Sequence, residues 1–308
     1  MIILNKLIYL FLFLTFFSCV KQLPPDQFIT VLGNVQDAGY PHIGCEKFCC
    51  NENFNSATVN FVTSLGITDL VDNKSFLLEA TPDISMQLKF LKNNHSSSTI
   101  IDGVFITHAH IGHYTGLMYF GREALGAYKV PIYVMPKMKL FLESNSPWDQ
   151  LIDLNNIQLS EIFHNKNITI SNNLEIVPFT VPHRDEFSET VGYKIIGPNK
   201  SALFIPDINK WNLWYKDIVK EVKDVDYAFL DATFFKDGEV NRSMDEIPHP
   251  FVVETLSLFK NESKEVKNKI HFIHFNHTNI SLQHKNPVID SIAKLGYNFA
   301  RFGDQLSL

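Results

Sequence analysis

Residues 103–116 read GVFITHAHIGHYTG: an apolar, β-branched run that ends on three histidines, His108, His110 and His113, within six positions. A strand that carries imidazoles to a buried rim must find partners for them there, because burying an unpaired polar group is costly. His-x-His at a strand end puts both rings on one face, since side chains alternate with a period of two. His113, on the turn that follows, can face back toward them. Neutral imidazole suits zinc, iron or manganese. The spacing therefore predicts a metal site, with ordinary histidines near the surface as the plain alternative.

The same arrangement recurs along the chain. His183 follows LEIVPFTV (174–181), Asp207 follows SALFIP (201–206), Asp231 ends DYAFL (226–230), and His274 lies within IHFIHF (270–275). Groups at several strand ends can converge on one edge of a sheet. Helix-like stretches alternate with the strands at 82–93, 115–126, 211–222 and 251–259. No internal repeat or low-complexity tract follows residue 28. The pattern predicts a single α/β (α+β) domain over residues 28–308.

The chain has 308 residues, of which 45% are hydrophobic and 19% charged, enough for one large core or two small ones. A net charge of −6 argues against a nucleic-acid-binding face. The first eighteen residues, MIILNKLIYLFLFLTFFS, have one Lys before an apolar run that is shorter than the roughly 20 residues of a membrane span. Residues 1–18 are expected to be a secretory signal, with an uncleaved anchor as the alternative. The FFSC boundary resembles a bacterial lipoprotein signal. Cleavage there would leave Cys19 to carry lipid, residues 19–27 as a tether, and an exported lipoprotein on the periplasmic side of a membrane. Cys45, Cys49 and Cys50 then remain. Three thiols cannot pair off as disulfides without leaving one free. Three thiolates and one further ligand would complete a tetrahedral zinc site. A Cys45–Cys49 or Cys45–Cys50 disulfide with one free thiol stays open.

THAHIGHYTG resembles the His-x-His-x-Asp-His signature of metallo-β-lactamase-fold hydrolases, and His183 in VPHRDE, Asp207 in FIPD and His274 in IHFNHTN follow in that family's order. The resemblance implies an αββα sandwich with two metals on its rim: His108, His110 and His183 holding one, His113 and His274 the other, and Asp207 between them. VLGNVQDAGYPHIGC, EATPD, DATFF and IPHP further resemble the pyrroloquinoline-quinone biosynthesis protein B family, over nearly all of residues 29–308. That family's own pattern loses early histidines that are retained here, which draws this chain toward the hydrolases. Gly112 departs from the signature, because it has no side chain where the aspartate belongs. Three outcomes follow: a second site surviving on His113, Asp207 and His274, which is the preferred reading; a one-metal enzyme; or another carboxylate, Asp37 or Asp185, filling the gap.

Relatives of this fold carry a structural zinc on three cysteines and a histidine three residues past the last catalytic one. The resemblance thus implies a Cys45, Cys49, Cys50 and His277 site. His249, in IPHPF, is the candidate proton donor to the leaving group, with Asp231 holding its tautomer; a helix cap and a strand-end turn are the plain readings of the two. Asp37 and Arg184 are weaker candidates for binding substrate, against a tight turn and a surface salt bridge. The expected function is a metal-dependent hydrolase that uses metal-bound hydroxide on a small phosphodiester or ester-like substrate, with zinc preferred and iron or manganese possible. Two alternatives are a quinone-cofactor biosynthesis protein with iron-dependent oxidative chemistry, and a non-catalytic metal-binding lipoprotein. No nucleic-acid partner is expected, and the oligomeric state is open.

Overall fold

The computed structural model describes residues 26–51, 54, 60–93, 99–241, 243–244, 247–283 and 285–308. The expected signal (1–18), the lipid-bearing Cys19 and the tether up to residue 25 lie outside these residues. Gln27, expected in the tether, opens the first strand instead. It is buried, pairs with Asp69 across the strands, and donates to Asp69 Oδ1 at 3.0 Å.

The strands are β1 (Gln27–Gly33), β2 (Ser64–Asp69), β3 (Lys74–Leu78), β4 (Gly103–Phe105), β5 (Val130–Val134), β6 (Ile157–Glu161), β7 (Ile168–Thr169), β8 (Glu175–Thr180), β9 (Val191–Ile196), β10 (Ser201–Ile205), β11 (Tyr227–Asp231), β12 (Ile270–Ile273), β13 (Asn298–Phe299) and β14 (Gln305–Ser307). The helices are α1 (Phe48–Asn51), α2 (Ile84–Lys92), α3 (Ile111–Tyr114), α4 (Pro136–Ser144), α5 (Trp148–Asp153), α6 (Ile218–Lys223), α7 (Val252–Leu258), α8 (Lys264–Asn268) and α9 (Pro287–Lys294). Among the described residues no helix is long and apolar enough to cross a membrane.

Two seven-stranded sheets form, ordered β14-β1-β2-β3-β4-β5-β6 and β13-β12-β11-β10-β9-β8-β7. Period-two alternation decides which side chains face which layer. Phe76, Leu78 and Phe105 meet Ile176, Tyr193, Phe204 and Phe229 between the sheets. Their neighbours Leu77 and Val104 point outward onto α2, α4 and α5. On the far side Leu203, Ile205 and Leu230 pack on α6, α7 and α9. Each such buried side chain contributes roughly 1.5–3 kcal/mol. Strands buried on both faces therefore read as unbroken apolar runs. The result is the four-layer αββα sandwich of the metallo-β-lactamase fold.

Strand direction explains the placement of the polar residues. β3 to β6 run parallel to one another, as do β10 to β13. β8 is antiparallel to β9 and β9 to β10, so β8 and β10 point the same way. Parallel strands deliver all their C-terminal ends to one side of a sheet, and His108, His183, Asp207, Asp231 and His274 each stand at or just past such an end.

Candidate metal centre

His108 and His110 leave β4, and His113 sits on the short helix α3 with its ring turned back to them. His108 and His113 rings lie 4.2 Å apart between centroids. His183 comes from the turn after β8, Asp207 from the turn after β10, and His274 from the first residue past β12. The sequence pattern placed His274 inside a longer strand. The ladder in fact stops at Ile273, and His274 takes a φ of 68°. A non-glycine residue in that region is strained and needs its surroundings to hold it. His108, His113, His183, Asp207 and His274 are buried and His110 is half-buried.

The donor atoms form two groups, His108, His110, His183 and Asp207 in one and Asp37, His113 and His274 in the other. Asp207 Oδ2 lies 3.4 Å from His108 Nε2, 4.0 Å from His110 Nδ1 and 3.2 Å from His183 Nε2. It is also 3.9 Å from His113 Nε2. In the second group Asp37 Oδ1 lies 3.1 Å from His113 Nε2 and 3.4 Å from His274 Nε2. Within each group the ligand atoms lie within 4.8 Å of one another. His183 Nε2, Asp207 Oδ1 and His274 Nε2 are buried yet make no aligned hydrogen bond. Buried polar atoms normally find partners. Imidazole nitrogens and carboxylate oxygens converging in this way fit a divalent cation, and such ligands suit zinc or its neighbours.

The charges agree with that fit. Burial alone would raise the Asp207 carboxyl, but His183 and His249 outweigh it and hold Asp207 well below the usual carboxylate range. Burial and the charge of His113 push His108 down, leaving a neutral ring with a free lone pair. His113 moves the other way: burial would lower it, and Glu79 and Asp37 raise it by more.

Residues that sequence reasoning did not assign hold the ligands in place. Thr107 Oγ1 donates to Glu79 Oε1 at 2.6 Å and contacts His108 Nδ1 at 2.9 Å. Glu79 Oε1 is also 3.2 Å from His113 Nδ1. Asn209 Oδ1 meets His183 Nδ1 at 3.2 Å, and Thr233 Oγ1 meets His274 Nδ1 at 2.8 Å. Such partners orient a ligating ring and set its tautomer. The one available signal was the lone acid that ends the apolar run SFLLE; Glu79 is fully buried with a φ of 77°.

Asp231 and His249 come together. His249 Nδ1 is 2.8 Å from Asp231 Oδ2 and 3.1 Å from Asp207 Oδ1. Asp231 is fixed in turn by Thr233 Oγ1, Thr233 N and Ile208 N, which all donate to it. Burial would lower His249, but the Asp231 and Asp207 charges push it up to about 10, so the ring is protonated. His249 does not cap α7, whose N-cap is Phe251.

Cys45, Cys49, Cys50 and His277 form a separate cluster with ligand atoms within 4.8 Å of one another. None of the three cysteines is in a disulfide, and Cys45 Sγ and Cys49 Sγ stand 3.9 Å apart, so neither disulfide left open by the sequence is formed. Burial, His42 and Lys47 lower His277 to about 4, leaving the ring neutral as a ligand must be.

The remaining candidates fall elsewhere. Arg184 is exposed and lies 3.9 Å from Glu186, whose Oε2 is 3.3 Å from His110 Nε2. Asp185, also exposed, accepts from Thr190 Oγ1 at 2.8 Å and joins no cluster. Asp37, weighed first as a substrate group, lies instead among the histidines of the second group.

Residues 74–272 match the model of the beta-lactamase superfamily domain. The fold is similar to that of a Zn2+-bound PqqB from Methylobacterium extorquens, with a TM-score of 0.75 and 19% identity over 91% of this chain and 100% of that one. It is also similar to a diphosphatase from the PhnP family (TM-score 0.63, 23% identity, 91% of this chain and 96% of that one). The short form of human tRNase Z shows a third likeness (TM-score 0.55, 15% identity, 91% and 98%). No curated protein matches this chain in sequence. At these identities the solved structures speak for the fold, while the matched domain covers well over half the chain. The chain belongs to the beta-lactamase superfamily, among its metallo-β-lactamase-fold, hydrolase-like members.

Proposed function

We propose that the protein is a zinc-dependent hydrolase of a small phosphodiester or ester-like substrate. One observation carries this reading: ligand atoms of His108, His110, His183 and Asp207 converge within 4.8 Å of one another, beside a histidine held by its own carboxylate. His108, His110, His183 and Asp207 would hold one cation. His113 and His274 would hold a second, with Asp207 Oδ2 3.9 Å from His113 Nε2. Cys45, Cys49, Cys50 and His277 would hold a structural one. Divalent cations in the first two places supply a Lewis acid and make hydroxide available at neutral pH.

The rest of the chemistry belongs to the chain. Asp231 engages His249 at Nδ1, which leaves Nε2 to pass its proton to a departing alkoxide. The Asp231 and Asp207 charges outweigh burial and push His249 up to about 10, so it keeps a proton to hand over. The hydrogen bonds from Asn209, Thr107 and Thr233 keep the ligand rings from turning between turnovers. The acidic net charge supports a small substrate over RNA.

The reading is tested by measuring metal content and then turnover of a panel of phosphodiesters, carboxylic esters and lactams. Zinc in the purified protein and chelator-sensitive cleavage of a phosphodiester are expected. Iron in its place, with no cleavage of any panel member, would overturn the reading in favour of oxidative chemistry.

A further inference from the structure

Gly112 is where the chain departs from the His-x-His-x-Asp-His pattern, and a different segment occupies the space beside it. A Cβ built on Gly112 would stand 2.6 Å from the Cα of Asp37, 2.6 Å from its Oδ1 and 2.7 Å from its Cγ. Contacts that short do not survive in folded proteins. The first is with main chain, so rotating a side chain does not relieve it. A side chain at 112 and the present path of residue 37 exclude each other.

That path is held from both sides. Val35 bridges to Val62 and Phe275, Gln36 N donates to Phe275 O at 2.9 Å, and Gly39 N closes a turn onto Gln36 O at 2.9 Å. Beyond the turn, Tyr40 Oη donates to Cys49 O at 2.6 Å and His42 N reaches Cys50 Sγ at 3.3 Å. The segment is thus pinned to the strand end that carries His274 and to the thiolate cluster. It presents Asp37 Oδ1 3.1 Å from His113 Nε2 and 3.4 Å from His274 Nε2, the latter a buried atom with no hydrogen bond.

We propose that Asp37 is the carboxylate ligand of the second rim cation, supplied by the loop after β1 to the place an aspartate at position 112 would otherwise serve. The proposal rests on the two-cation reading above and adds the residue that completes it. Two imidazoles and one carboxylate, with Asp207 alongside, give the three-ligand set with an open position that suits a catalytic zinc. Gly112 then marks a relocated ligand and not a lost one, because the absent side chain is what lets the loop approach.

The test measures metal per chain by elemental analysis. The full chain is stripped with chelator, reconstituted with Zn2+ and desalted. Wild type is compared with Asp37→Asn, Gly112→Ala and His274→Ala, each checked for a wild-type melting transition. Asp37→Asn keeps the size and hydrogen-bonding shape of the side chain, so it is expected to fold and to lose about one ion per chain, matching His274→Ala. Gly112→Ala removes no donor atom, yet its Cβ must displace residue 37. It is expected to weaken the same ion about 10- to 100-fold in a zinc titration. If Asp37→Asn keeps the wild-type count while His274→Ala loses an ion, Asp37 is not the ligand. If His274→Ala also keeps that count, the second cation itself is overturned. Both results can be told apart from failure of the hydrolase reading, which is scored on the metal present in the protein as purified and on turnover of the substrate panel.

Discussion

His108, Asp207 and His274 leave the ends of β4, β10 and β12 and are almost completely buried. Cys45, Cys49 and Cys50 sit on a short turn-rich segment whose neighbours Ile43 and Phe48 are 82% and 75% exposed. The rim gathers seven candidate ligands in two groups, and the cysteine segment supplies three of the four in a third group. On the rim, two seven-stranded sheets and their core set the positions, and the hydrogen bonds from Glu79 through Thr107, and from Asn209 and Thr233, set the rings. Around the thiols little apolar surface is available to order the chain, so a bound ion would have to do it. The contrast separates two uses of a cation, one for chemistry on a scaffold that already stands and one for building local structure.

The largest expected effect tests the first half of that contrast. Asp207→Ala should lower turnover at least about 10³-fold, as loss of several kcal/mol of metal stabilisation implies, while the melting curve keeps its shape. Cooperative unfolding of the variant at a much lower temperature would show that the rim, too, needs its cations in order to stand. Next in size is His249→Ala. Here kcat should fall roughly 10²- to 10⁴-fold for substrates with poor leaving groups, and hardly at all for a nitrophenolate ester, with metal content intact. An equal loss for both substrates would remove His249 from the role of acid.

Cys50→Ser probes the other half. It should cost about one ion per chain, speed proteolysis within residues 36–51, and lower the melting temperature by about 2–4 °C for each kcal/mol lost. Unchanged proteolysis would mean that the loop orders without its ion. Glu79→Gln should have the smallest effect on turnover. Zinc affinity should drop about 10- to 100-fold, with kcat near wild type once zinc is saturating. A large loss of kcat at saturating zinc would instead make Glu79 part of the chemistry.

Legibility in the sequence followed the range of the forces involved. β4, β10 and β11 were readable because a strand buried on both faces needs an uninterrupted apolar run, a local property. The helix over 82–93 was readable too, with α2 spanning Ile84–Lys92. Two other helical stretches were overextended. Residues 115–120 form a 3-10 helix after α3, and the stretch over 211–222 breaks into a 3-10 turn at Trp211–Leu213 and α6. Spacing alone does not tell a continuous amphipathic helix from two short segments packed on the same layer. Glu79 carried little signal, since its role depends on Thr107 and His113, which come from a different strand end.

The chain's order of residues determined, on its own, that apolar strands would end on histidines and aspartates, and that three cysteines could not pair off without leaving one over. Only the tertiary structure decided which of those groups meet, that Asp37 from the β1 loop stands against Gly112, and that Asp185 joins no ligand cluster. The physical reason is that alternation along a strand is set by neighbouring residues. A ligand set instead depends on sheet order and strand direction, which bring together residues as distant in sequence as 37, 113 and 274.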